Sequence, residues 1–365
     1  MNKKPAPGSF MTKEINHLRG EMSVTSPDVL VTGATGMVGS RILTDLLRQG
    51  RKVRAMYRKG SDRTVFERQA AGLSQQVDWV EGDITEVLSV FDALEGVKEI
   101  YHAAGLVSFL PSDRERLIAI NAEGTANVVN MALERGVLRI CHISSVAALG
   151  RSESGMQIDE TTVWKNSKYN SVYAISKFNA EREVWRGMEE GLQVLVLNPS
   201  IILGPGNPDT GSSLLFRAVK DGLRLYPTGT TGFVDVRDVS RLALSLMEQG
   251  RFGERFVVNS ENLAYRELFG MIAEAFGKQP PSVRVPDAVM HLAWRLEKIR
   301  STITGKMPLI TRETATTSTS VWKYDASLSV AATGVPYIPI RESVNHWTPL
   351  FQKAPHDAEP GSAVV

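Results

Sequence analysis

Cysteine is almost missing from this chain of 365 residues: its one thiol, Cys141, lies inside the apolar run Val137–Ile143. An internal disulfide is therefore excluded, and a thiol in such a run reads as packing, not as a nucleophile. The six histidines and this cysteine show no ligand spacing, so no metal site is expected. Charge of one sign is scarce too. Against 42 Lys and Arg stand 40 Asp and Glu, a net charge of +2, too balanced for a nucleic-acid partner. No run of about 18 apolar residues occurs, so neither a transmembrane helix nor a membrane partner is expected. Residues 1–26 carry Lys3, Lys4, Pro5 and Pro7 without the apolar stretch of a secretory signal, which predicts a disordered leader and cytoplasmic residence. Residues 353–365, with two prolines and no periodicity, are expected to be a mobile tail.

What the chain does contain is alternation. Apolar runs of strand length at 29–32, 53–57, 77–80, 100–102, 137–143 and 194–197 are separated by segments of helical period. Strands alternating with helices imply an α/β fold with a parallel sheet covered on both faces, a doubly wound Rossmann domain. Its expected extent is 27–198, with 238–258 returning to it. After Asn198 the texture changes. Pro199, Pro205, Pro208, Gly204, Gly206 and Gly211 form a long loop, and a smaller C-terminal substrate-binding lobe is expected over 199–237 and 259–352.

Two motifs carry chemistry. In Val29-Leu-Val-Thr-Gly-Ala-Thr-Gly-Met-Val-Gly39, three glycines recur at three-residue spacing between a strand and an amphipathic helix. Gly33 permits a tight turn, Gly36 lets backbone N–H groups approach a pyrophosphate, and Gly39 lets the helix pack closely on the strand. Thr35, Met37 and Val38 would line the same anion site at the helix N-terminus. The second motif is Tyr173-Ala-Ile-Ser-Lys177, preceded by Ile143-Ser144-Ser145-Val146. Four residues apart on a helix, Tyr173 and Lys177 share a face, so the ammonium is expected beside the phenol, favouring its anionic form. A serine hydroxyl can hold a substrate oxygen where charge changes during reaction.

With these motifs in this order, the chain resembles the extended short-chain dehydrogenase/reductase family, from about Pro27 to about Phe351. The likeness continues through Gly82-Asp83-Ile84, Tyr101-His-Ala-Ala104, Asn121-Ala-Glu-Gly-Thr125, Asn198 to Gly206 and Phe233 to Val239. Val53 to Arg58 and Thr311 to Thr314 are most similar to dihydroflavonol 4-reductase-like and 3β-hydroxysteroid dehydrogenase-like members. The resemblance implies Ser145, Tyr173 and Lys177 as catalytic residues, with Ser144 a close competitor to Ser145, and Asn121 completing a proton-relay or architectural network. It implies adenine contacts from Asp83 and Ile84, a dinucleotide lying across Ala103 and Ala104, and Asn198, Pro199, Ser200 and Ile201 beneath the nicotinamide. Lys177 would also hold the nicotinamide ribose. His102 reads as a packed histidine before it reads as an acid or base. Homodimerisation is implied through helices at 112–135 and 172–187, where Val128, Val129, Met131, Val184 and Trp185 exceed one apolar stripe.

Cofactor choice is read at the end of the second strand. Tyr57 holds the position usually acidic in NAD-binding relatives, and Arg58 follows it, helped by Lys59 or Arg63. An arginine accommodates the 2′-phosphate, so NADP(H) is preferred, with NAD(H) possible. Leu106 to Leu110 and Trp164 to Tyr169 suggest a hydrophobic or ring-bearing small-molecule substrate. The expected activity is hydride transfer to a carbonyl with Tyr173 donating the proton, or the reverse. Two alternatives stand beside it: an NAD-dependent sugar-nucleotide epimerase or dehydratase, and a non-catalytic dinucleotide-binding scaffold or sensor.

Overall fold

Val29–Thr32 is buried at every position, as a parallel strand covered on both faces must be. In the computed structural model it is the first of seven strands. The others are β2 (Val53–Tyr57), β3 (Asp78–Glu81), β4 (Glu99–His102), β5 (Arg139–Ile143), β6 (Gln193–Pro199) and β7 (Glu254–Val258). All pair in parallel, in the order β7-β6-β5-β4-β1-β2-β3. The strand order reverses between β1 and β4, which opens a crevice at their carboxyl ends where a dinucleotide binds in such sheets. The structure describes residues 27–70, 72–150, 157–167, 170–207, 210–304 and 311–352. The expected leader 1–26 and tail 353–365 lie outside the described residues.

Strand alternation sends successive residues to two cores. Val31, Tyr101, Cys141 and Leu195 pack against helices α1 (Met37–Arg48) and α4 (Val236–Glu248). Leu30, Ile100, Ile140 and Val194 face α2 (Gly124–Glu134) and α3 (Val172–Glu189). Cys141 is fully buried, and burial pushes its thiol pKa up, in keeping with packing. Val128, Val129 and Val184 are also fully buried in this chain's own core. They therefore carry no argument for a subunit interface.

Beyond β6 a three-stranded sheet, Ile201–Leu203, Thr230–Asp235 and Glu261–Ala264, builds the C-terminal lobe around Phe216, Phe233, Leu268 and Trp347. Asp235 locks it to the larger sheet. Its carboxylate accepts from the Arg237 backbone at the start of α4, from the Arg237 guanidinium, and from Trp347 Nε1 at 3.0 Å. The helix expected over 112–135 is instead a short 3₁₀ turn, one α-turn, a π-helical stretch Ile118–Glu123 and then α2. Asn121 sits in the widened turn. Among the described residues no helix is long and apolar enough to cross a membrane, and none form a group of three or more His, Cys, Asp or Glu able to hold a metal.

Candidate active site

The glycines of the first turn are compelled by sterics. Gly33 has φ +65°, and a Cβ there would lie 2.6 Å from Ala104 N and 2.7 Å from the Ala103 carbonyl carbon. A Cβ on Gly39 would meet Gly33 O at 2.1 Å. The β1 turn thus lies directly on the end of β4, with α1 directly on the turn. Gly36 N donates to Gly33 O at 2.9 Å and caps α1 without a side chain, and the first turn of α1 holds no acid. Its N–H groups and partial positive charge consequently face the crevice, flanked by the half-buried Thr35, Met37 and Val38. A Cβ on Gly33 or Gly39 would destroy this cradle, whose donors suit a pyrophosphate.

Ser144 and Ser145 point opposite ways. Ser145 Oγ accepts from Ala147 N at 3.2 Å, closing the short turn Val146–Leu149, and lies near Tyr173, whose pKa it pulls down. Ser144 Oγ donates backward to Glu181 Oε1 at 2.6 Å. Ser145 is therefore the serine the fold places beside the tyrosine. Tyr173 meets Phe109 edge-on at 5.7 Å. The Lys177 ammonium donates to Ile143 O at 3.0 Å. Burial lowers its pKa to about 8, with Glu181 pulling upward. Burial raises the Tyr173 pKa and outweighs the lowering by Ser145, so the phenol stays protonated at neutral pH.

Asn121 is anchored on every side. Its Oδ1 accepts from Leu106 N at 2.7 Å, and its Nδ2 donates to Leu106 O and Ser176 Oγ, both at 2.9 Å. That geometry is architectural: it holds the loop after β4 against α3. His102 is architectural as well. Thr125 Oγ1 donates to Asn121 O at 2.6 Å, so it can only accept from His102 Nε2 at 3.0 Å; His102 Nδ1 then accepts from Thr32 Oγ1 at 2.7 Å. The chain of donors fixes a neutral imidazole, and burial depresses its pKa to about 3.

At the carboxyl ends of β2 and β3, an open cleft is lined by Arg58, Lys59, Gly82 and Asp83, but also by Glu81 and Glu86. Arg63 lies elsewhere, stacked 4.0 Å over Tyr57 and 4.3 Å over Trp79. Asp83 Oδ1 is engaged by Thr85 N and Thr85 Oγ1. The Ile84 side chain is buried in the core, and its carbonyl accepts from Asn127, so toward a ligand Ile84 has only its backbone N–H to offer. Asn198 Nδ2 donates to Ser145 O at 3.0 Å and to Glu181, pointing back to β5. Pro199 continues β6, Ser200 N donates to Val258 O, and Ile201 is half-buried. Lys168 and Tyr169 lie outside the described residues. Trp164 stacks on Phe178 at 4.4 Å.

Sequence reasoning missed Glu181. Its signal was the spacing, four residues after Lys177 on the same helical face. It also missed Glu81, which the register sets opposite Tyr57.

A glycine cradle at the switch point of a parallel sheet, with a serine, a tyrosine and a buried lysine gathered beside it, makes this an NAD(P)-dependent oxidoreductase of the extended short-chain dehydrogenase/reductase type. The chain belongs to the NAD dependent epimerase/dehydratase family, whose profile matches residues 29–259. A Synechocystis sp. protein provisionally named dihydroflavonol 4-reductase is 28% identical over 327 residues, covering 87% of this chain and 93% of that one. Sterol demethylase protein B of Methylococcus capsulatus is 34% identical over 266 residues, 72% of this chain and 78% of its own length. The crystal structure of gox2253 superposes with a TM-score of 0.76 at 29% identity, covering 90% of this chain and 98% of that one.

Proposed function

We propose that this protein reduces the carbonyl of a hydrophobic or ring-bearing small molecule, or oxidises the corresponding alcohol, with NADP(H) as preferred cofactor. The observation that carries the reading is the Tyr173 hydroxyl, kept protonated by burial, with Ser145 close enough to lower its pKa. A protonated phenol is a donor, which suits reduction. Ser145 orients the substrate oxygen, and Tyr173 delivers the proton to it. Gly33, Gly36, Gly39 and the α1 N-terminus would hold the pyrophosphate, Lys177 the nicotinamide ribose, and the segment Asn198 to Ile201 the nicotinamide. When bound, the cofactor supplies or accepts the hydride.

Two features support an uncharged, apolar substrate. Phe109 and Trp164 provide aromatic surface near the tyrosine and on α3. At the start of α3, the Val172 N–H is taken by Glu313 Oε1 at 3.3 Å, which sets a carboxylate where an anionic substrate would otherwise find a helix N-terminus. Arg58 and Lys59 favour a 2′-phosphate, while Glu81, Asp83 and Glu86 around the same cleft limit the preference. The test is a turnover screen with NADPH and NADH against carbonyls of graded size, with mass spectrometry of cofactor carried through purification. Retained NAD with no net carbonyl reduction would overturn the proposal in favour of epimerisation.

A further inference from the structure

Glu181 is 2% exposed, and four groups converge on it. Ser144 Oγ at the end of β5 donates to Oε1 at 2.6 Å, and Asn198 Nδ2 at the end of β6 donates to the same oxygen. Arg255 of β7 lies 3.6 Å from Oε2, and Lys177 is one helical turn away on α3. Asn198 uses the same amide nitrogen on Ser145 O. A carboxylate in such a place is costly unless several donors meet it, and here the donors come from three adjacent strands.

We propose that Glu181 is the positioning residue of this site: its carboxylate gathers the ends of β5, β6 and β7 beneath the tyrosine, turns Ser145 outward, and keeps Lys177 an ammonium. The inference deepens the oxidoreductase reading and rests on it for its catalytic meaning. Its physical content stands apart from turnover. Ser144 is held inward, so its neighbour in the extended backbone must face Tyr173. Lys177 has one neutral hydrogen-bond acceptor, Ile143 O, and burial works against its charge. The groups facing it are Glu181 and Tyr173 on its own helix, His102 and His142 from β4 and β5, and, through Glu181, Arg255 from β7. Both histidines are held neutral by burial, which leaves Glu181 as the anion that offsets desolvation.

The test is an NMR titration of the full chain with ε-¹³C-labelled lysine, the Lys177 signal being assigned by its loss in Lys177→Met. In the wild type the Lys177 midpoint is expected near 8. Glu181→Gln keeps an acceptor for Ser144 and Asn198 but removes the charge, so the midpoint falls by about one pH unit or more. Arg255→Met removes the cation that competes for the carboxylate, so the midpoint rises. Opposite shifts from two neighbouring substitutions are not what general loosening produces. NADPH binding followed by its fluorescence should lose its alkaline half earlier in Glu181→Gln than in wild type. Unmoved midpoints, or shifts of one sign in both variants, overturn the proposal even where carbonyl reduction is found. An absence of reduction beside the expected shifts sinks only the functional reading.

Discussion

Acidification should weaken the fold through His102, and the structure sets the size of the effect. The imidazole is fully buried, accepts from Thr32 and donates to Thr125, and has its pKa depressed to about 3 against an ordinary value of 6.5. Between those values the unfolded chain binds a proton that the folded chain refuses, so stability is lost as pH falls through 6.5 and the loss levels off below about 3. At pH 4.5, between the two values, this corresponds to about 3 kcal/mol, a large fraction of a marginal total. His142 contributes in the same direction, and Asp238, whose pKa burial raises to about 6, in the opposite one. A single acid transition would mix all three. The clean measurement is a difference: urea unfolding of wild type and His102→Gln at pH 7.5 and 4.5. The glutamine cannot titrate and loses at least one partner, so the variant is the less stable at pH 7.5. The gap should close by about 3 kcal/mol at pH 4.5, because only the wild type pays for an imidazolium. A gap of the same size at both pH values would refute the buried neutral tautomer and the donor chain from Thr32 to Asn121.

Tyr173→Phe should lower turnover by about 10²-fold or more while leaving cofactor affinity nearly unchanged, since only the proton-donating oxygen is lost; retention of more than about a tenth of turnover contradicts the assignment. The two serines should separate: Ser145→Ala depresses turnover with little change in the unfolding midpoint, whereas Ser144→Ala takes a donor from the buried Glu181 carboxylate and lowers stability by about 1–3 kcal/mol. Titration of both cofactors should show NADPH bound more tightly than NADH, a gap narrowed by Arg58→Ala and widened by Glu81→Gln, because the two residues line one cleft with opposite charge; tighter NADH binding by wild type reverses the reading. Light scattering at micromolar concentration is expected to give the mass of a homodimer, held at α2 and α3 by the partly buried Met131 and Trp185; a single-chain mass removes that proposal.

Gly33 and Gly39 were legible because only one residue type survives their surroundings, whatever the rest of the chain does. A Cβ at either would enter a backbone atom, and such a demand shows in sequence as the residue itself. The inner strands were legible for a similar reason, since burial on both faces leaves continuous apolar runs; the edge strand β3, exposed at both ends, shows only Trp79 and Val80, and strand ends shifted by one or two residues where pairing partners, not composition, decide. Ser144 and Ser145 mark the limit. Identical side chains on adjacent extended residues face opposite ways, and nothing local says which way is out. The answer lies in Glu181, 36 residues beyond Ser145, and in Asn198 on another strand.

Lys177 carries the same lesson further. Helical spacing correctly put it on the face of Tyr173, yet spacing fixes only where a side chain starts. The long lysine stem leaves the end of the side chain open, and one of its hydrogen bonds goes to the Ile143 carbonyl on a strand far away in sequence. The phenol's proton is decided by burial, which raises its pKa. The tyrosine in this resting arrangement is therefore set as a donor.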